Sequence, residues 1–90
     1  MSKIIPAPHV VSRMIAEQAL ILDIKKDQVR QLNEVGSFLW AQILTGSFDQ
    51  KELLDELLNE FEVDLDNAQE DLEEFLQALK EEELILLQAE

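Results

Sequence analysis

Residues 19–40 read Ala19-Leu20-Ile21-Leu22-Asp23-Ile24-Lys25-Lys26-Asp27-Gln28-Val29-Arg30-Gln31-Leu32-Asn33-Glu34-Val35-Gly36-Ser37-Phe38-Leu39-Trp40. Within them the hydrophobic period changes from that of a strand to that of a helix. Leu20, Leu22 and Ile24 share one parity and Ala19, Ile21 and Asp23 the other. One face of such a strand is fully buried and the other in part, as in the middle strand of three. Lys25-Lys26-Asp27 makes the turn to a third strand, residues 28–32. In that strand Val29 and Leu32 fall on opposite faces unless a bulge intervenes, and the other members are polar, which reads as a sheet edge. Upstream, residues 10–16 have the same short apolar pattern, with Glu17-Gln18 as the turn into residue 19.

Downstream of Leu32 the pattern is helical throughout. Asn33 is placed as an N-cap for a helix to about Leu44, with Val35, Phe38, Leu39 and Ile43 on its buried face, Trp40 off the centre of that stripe, and Gly46 positioned to end it. Asp49 and Glu52 have the spacing of a capping box and lead into Leu53, Leu54, Leu57, Leu58 and Phe61. Asp64 caps a third helix carrying Leu65, Ala68, Leu72, Phe75, Leu76 and Leu79 at spacings of three and four. The run Leu84-Ile85-Leu86-Leu87 either finishes that helix or forms a short strand returning to the sheet. Ahead of all this, Pro6 and Pro8 disfavour helix, so residues 1–9 are expected to be an extended lead-in on the surface, with a single domain over residues 10–88. The fold class is α+β: three antiparallel strands followed by three α-helices that cover one face of the sheet.

Composition narrows the function. The chain has 90 residues, no Cys, and a formal charge of −13. Residues 1–48 carry 5 basic and 4 acidic side chains, whereas residues 49–90 carry 2 and 16. Nucleic-acid binding draws on cations that neutralise phosphates, so a half this acidic argues against DNA or RNA as a partner. Without Cys there is no thiolate metal site, disulfide or cysteine nucleophile. His9 is the only histidine, lies in the proline-flanked lead-in, and reads as a solvated side chain rather than part of a catalytic triad or metal site. The stretch 64–69 lacks the glycine of a calcium loop. The many carboxylates fall on expected helix surfaces, where a solvated face is the ordinary explanation. No catalytic residue, metal or cofactor is expected. No basic head precedes an apolar run near the N-terminus, and no stretch approaches the ~18–20 apolar residues of a membrane span, so a cytoplasmic protein without membrane contact is expected.

The order of features resembles that of a known family. Leu20-Ile21-Leu22-Asp23, the hairpin, Gln31-Leu32-Asn33-Glu34-Val35-Gly36-Ser37-Phe38-Leu39-Trp40, then Leu53 to Phe61, Val63-Asp64, Phe75-Leu76-Gln77-Ala78-Leu79 and Leu84-Ile85 are similar to the PqqD-like family. Its members are recognition elements for ribosomally synthesised, post-translationally modified peptides. The resemblance runs from about Val11 to Ile85, and its most specific part is residues 32–40. It implies a winged-helix-like domain that takes up the leader of a precursor peptide as an added β-strand, in the cleft between the third strand and the third helix. The residue reading supplies a reason, since an edge strand at 28–32 offers unpaired backbone groups to an extended peptide. By position, Gln28, Val29, Arg30, Gln31 and Leu32 meet the leader, and Asp71, Leu72, Phe75, Leu76 and Leu79 receive its side chains. Arg30 stands where relatives commonly have an aromatic, which shifts the preference toward a polar or acidic contact. Lys25-Lys26-Asp27 lacks the glycine often found in that hairpin. Glu83 replaces the usual glycine after the third helix, predicting a less sharp helix end. If Asp66, Glu70, Asp71, Glu73 or Glu74 rim the cleft, a leader with Lys or Arg there binds with marked salt sensitivity.

The resemblance thus implies a non-catalytic peptide adaptor that presents its cargo to a separate modifying enzyme, either a radical S-adenosylmethionine maturase or a lasso-peptide leader peptidase with its cyclase. The second reading is a winged-helix transcription regulator or general interaction module. The DNA-binding form of that reading needs a basic recognition helix, and residues 64–82 have only Lys80 as a cation. The chain is expected to be a monomer or a weak homodimer, the latter through the same edge that takes the peptide.

Overall fold

The computed structural model describes residues 2–46 and 48–89; Met1 of the lead-in lies outside the described residues. Strands β1 (Ser2–Pro6), β2 (Val10–Ile15), β3 (Gln18–Asp23) and β4 (Gln28–Gln31) precede helices α1 (Glu34–Thr45), α2 (Gln50–Glu60) and α3 (Leu65–Glu81), and β5 (Ile85–Ala89) closes the chain. A three-stranded antiparallel sheet has the order β2-β3-β4, so β3 is its middle strand and β4 an edge. The expected α+β class is what the chain adopts, with one addition: β1 and β5 form a separate two-stranded antiparallel sheet.

That second sheet corrects the expectation for the lead-in. Residues 2–6 are extended, as the prolines require, but they are not superficial: Ile4 is 2% exposed and belongs to the core. Its N–H donates to the Phe48 carbonyl at 2.9 Å, and Lys3 Nζ bonds Glu52 Oε1 at 3.2 Å, fastening β1 to the start of α2. Of the run 84–87, Leu84 closes the third helix and residues 85–87 belong to strand β5, which pairs with β1 and not with β2-β3-β4. His9 is likewise half-buried rather than solvated, with Nε2 at 3.8 Å from Asp23 Oδ1, too far for a hydrogen bond.

The face of β3 that is buried is also the less apolar one. Ala19, Ile21 and Asp23 are buried, while Leu22 and Ile24 are exposed. The cause is α1. Its Ser37 hydroxyl accepts from Ala19 N–H at 2.7 Å and donates to the Leu32 carbonyl at 3.3 Å. The small Ala19 lets the helix close on that side, and Ser37 stands in for a ladder partner that β4 does not provide. Ser37 is buried, so Ser37→Ala leaves the Ala19 donor unpaired away from water. We expect a loss of about 1–3 kcal/mol, read as a lower urea midpoint at unchanged slope. A variant matching wild type would mean water reaches Ala19.

Three local signals determine the helix starts. Asn33 accepts from Gly36 N–H, Asp49 and Glu52 form the full capping box, and Asp64 accepts from Asn67 N–H. Trp40, expected off the stripe, is fully buried because α1 packs against β1, β3 and α2 and so has more than one covered side. The end of α3 is sharper than its sequence suggests. Glu83 takes a φ of 61°, Glu83 N–H bonds the Lys80 carbonyl and Leu84 N–H the Leu79 carbonyl, a Schellman closure built without glycine. The first hairpin likewise turns at Ala16-Glu17, both at positive φ, one residue earlier than expected.

Candidate functional site

The site begins with the open edge of β4. Its register is Leu20 with Gln31, Ile21 with Arg30, Leu22 with Val29 and Asp23 with Gln28. Leu32 N–H donates to the Ala19 carbonyl, which sets the phase of the ladder. Bonded pairs alternate in antiparallel strands, so Arg30 and Gln28 turn their backbone groups to β3, and Val29 and Gln31 turn theirs to the open edge. Side chains divide the other way. Arg30 lies on the same face as Ile21, toward the helices, while Val29 points outward and is 67% exposed. No bulge is needed: Val29 faces out and Leu32 is buried.

Between β4 and α3 lie two pockets of about 360 Å³ each. The first is lined by Ile21, Asp23, Gln28, Val29, Arg30, Glu82 and Leu84. The second has Val35, Gly36, Leu39, Phe75 and Ala78 as its apolar part and Arg30, Asn33, Asp71 and Glu74 as its polar part. Gly36 is what lets α1 approach α3 here, since a Cβ at that position would come 3.2 Å from Phe75 Cε1. Arg30 forms an ion pair with Glu82 and so separates the pockets, and Lys26 Nζ donates to the Glu82 carbonyl at 3.2 Å. The two side chains of the pair are 39% and 40% exposed, and a pair this solvated is worth ~0–1 kcal/mol.

Not all of the expected wall faces this cleft. Phe75 and Asp71 line it, but Leu72 and Leu79 are fully buried core residues. Leu76 is buried and turns to the far side of α3, where it lines a pocket with Ile4, Ile85 and Leu87. The periodicity of α3 gave one apolar stripe, and that stripe packs inward; only its margin, at Phe75 and Ala78, reaches the cleft. Of the acidic residues, Asp71 and Glu74 line the cleft, while Glu73 sits on the far side beside Leu76. Leu32 is buried beneath the edge, not on it. Sequence reasoning missed Glu82 and Leu84, which enter the site only because the Schellman closure brings them opposite β4.

A small α+β domain whose free strand edge opens onto a helix-walled cleft is the class that this geometry defines. The chain belongs to the PqqD family: the family described as coenzyme PQQ synthesis protein D (PqqD) matches residues 18–85. Among solved structures, that described as TbiB1 in complex with the TbiA(beta) leader peptide is similar at 30% identity and a TM-score of 0.83, over 90% of this chain and 93% of that one. A lasso peptide synthetase B1 complexed with its leader peptide shares the fold at 21% identity and a TM-score of 0.81, over 93% of this chain and 98% of that one. No curated protein matches the sequence. Among the described residues, no helix is long and apolar enough to cross a membrane.

Proposed function

We propose that this protein is a non-catalytic adaptor that binds the leader of a ribosomally synthesised precursor peptide as a fourth strand on β4 and presents the remainder to a separate modifying enzyme. The observation that carries this reading is the open edge of β4 at the mouth of the α3 cleft, in a chain 30% identical to a protein solved with a leader peptide. Backbone hydrogen bonds from Val29 and Gln31 give affinity, and the two pockets give selectivity through alternate side chains. Holding the leader raises the effective concentration of the modifiable segment at the enzyme, so the adaptor accelerates a reaction whose bonds it does not touch. The separate enzyme is of one of the two classes that the resemblance implies, a radical S-adenosylmethionine maturase or a lasso-peptide leader peptidase with its cyclase.

The direct test is an amide NMR titration with synthetic leaders encoded near the gene. Saturable shifts at residues 28–32 and along the cleft side of α3 support strand addition; shifts confined to β2 or to the β1-β5 sheet sink it. Asp71 and Glu74 add a dependence on ionic strength. For a leader that carries Lys or Arg toward α3, raising NaCl from roughly 50 to 500 mM should weaken binding several-fold, because these exposed carboxylates are screened. A flat salt response for such a leader would show that these two residues do not meet the peptide.

A further inference from the structure

The cleft is strapped across its middle. Arg30 reaches from the inner face of β4 to Glu82 at the end of α3, and each of the two pockets has Arg30 in its wall. A strand added to the β4 edge sends alternate side chains into the space that this bridge spans. The residue that faces inward opposite Arg30 therefore meets the guanidinium, and its arrival removes water from a cation that must keep an acceptor. Water already reaches both partners of the bridge, so it opens readily. Glu82 also has a second cation beside it, since Lys26 Nζ already bonds its backbone carbonyl at 3.2 Å.

Resting on the peptide-binding reading above, we propose that the Arg30–Glu82 pair is an exchangeable strap. The leader carries an Asp or Glu at the inward position opposite Arg30; that carboxylate takes the guanidinium from Glu82, and Glu82 turns to Lys26. The guanidinium fork donates two parallel hydrogen bonds to a carboxylate in a geometry that an amide or hydroxyl does not match. Charge is conserved locally, with two cations, Arg30 and Lys26, facing two carboxylates. The neighbouring inward position toward α1 is of the opposite kind, because Asp71 and Glu74 stand there over the apolar surface of Leu39 and Phe75. Arg30 is then a specificity-determining residue, and Glu82 is its placeholder in the free protein.

The test uses a displayed library of random dodecapeptides, selected on the full chain and on its variants. Selection on wild type should enrich Asp or Glu at one position. Arg30→Glu should convert that preference to Lys or Arg. For a selected peptide, changing the acid to Gln should cost at least tenfold on wild type and under twofold on Arg30→Gln. Glu82→Gln removes the competitor and should tighten binding about threefold. Thermal melts of the variants confirm that each is folded, as the exposure of both side chains leads us to expect. Enrichment without an acidic preference, a preference unchanged by Arg30→Glu, or weaker binding by Glu82→Gln would each overturn the strap while leaving peptide binding intact. Failure of wild type to enrich peptides above a Val29→Pro control would overturn the peptide-binding reading and the strap with it.

Discussion

Val29→Pro should weaken leader binding roughly tenfold to hundredfold while leaving the fold in place. Val29 is, with Gln31, one of the two residues of β4 whose N–H and C=O turn to the open edge, as the pairing of Arg30 with Ile21 and the bond from Leu32 to Ala19 require. Proline removes that donor and places its ring where the incoming strand must lie. An edge strand tolerates proline on its solvent side, and the side chain at this position is largely exposed, so the cost to stability is small. One lost backbone bond, together with a peptide carbonyl left unpaired on complex formation, is worth about 1.5–3 kcal/mol, or roughly a tenfold to hundredfold weaker Kd. Val29→Thr keeps the backbone donor and should bind within about twofold of wild type. Titration calorimetry separates the two variants, and far-UV circular dichroism checks the fold. Equal binding by the proline and threonine variants would place the peptide somewhere other than this edge.

What the sequence disclosed and what it withheld follow from the range of the interactions. Asn33, Asp49 with Glu52, and Asp64 announce the three helices correctly, because each cap is completed within three residues of chain. The middle and edge positions of β3 and β4 were also legible, from one strand apolar on both faces and one that is mostly polar. The buried face of β3 was not, because parity counts apolar residues and the outcome depends on the docking of α1 through Ser37. The pairing of β1 with β5 joins the two ends of the chain, and nothing local in residues 2–6 points to residues 85–89. The candidate site divides in the same way. Gln28, Val29, Arg30 and Gln31 follow from an edge strand, whereas Asp71 and Phe75 are set apart from the rest of the expected α3 wall only by the packing of that helix. Leu72, Leu76 and Leu79 share the apolar stripe of that helix, and a stripe shows which residues avoid water without showing which neighbour covers them. Glu82 was unreadable because its role depends on Glu83 adopting a left-handed backbone without being glycine.

The lead-in strand supplies the second large effect. Ile4→Ala should destabilise the domain by about 2–5 kcal/mol, the usual cost of a cavity at a fully buried isoleucine. A domain of this length has only roughly 5–13 kcal/mol in total, and each kilocalorie is worth about 4–8 °C in Tm, so the melt should fall by about 10 °C or more. Leu87→Ala, at the paired position on β5 but exposed, should shift it by no more than a few degrees. The consequence extends to the cleft. β1 pairs with β5, β5 follows directly from the closure that ends α3, and Ala7 N–H bonds the Leu84 carbonyl at 3.0 Å, so β1 steadies the residues that carry Glu82 to Arg30. Ile4→Ala should therefore weaken leader binding even at temperatures where the variant is folded, although Ile4 is not among the residues lining either cleft pocket. Differential scanning calorimetry with a parallel titration at 10 °C reads both quantities. A melt within about 2 °C of wild type would remove the lead-in from the core, and unchanged affinity in a destabilised variant would show that β1 supports the fold but not the cleft.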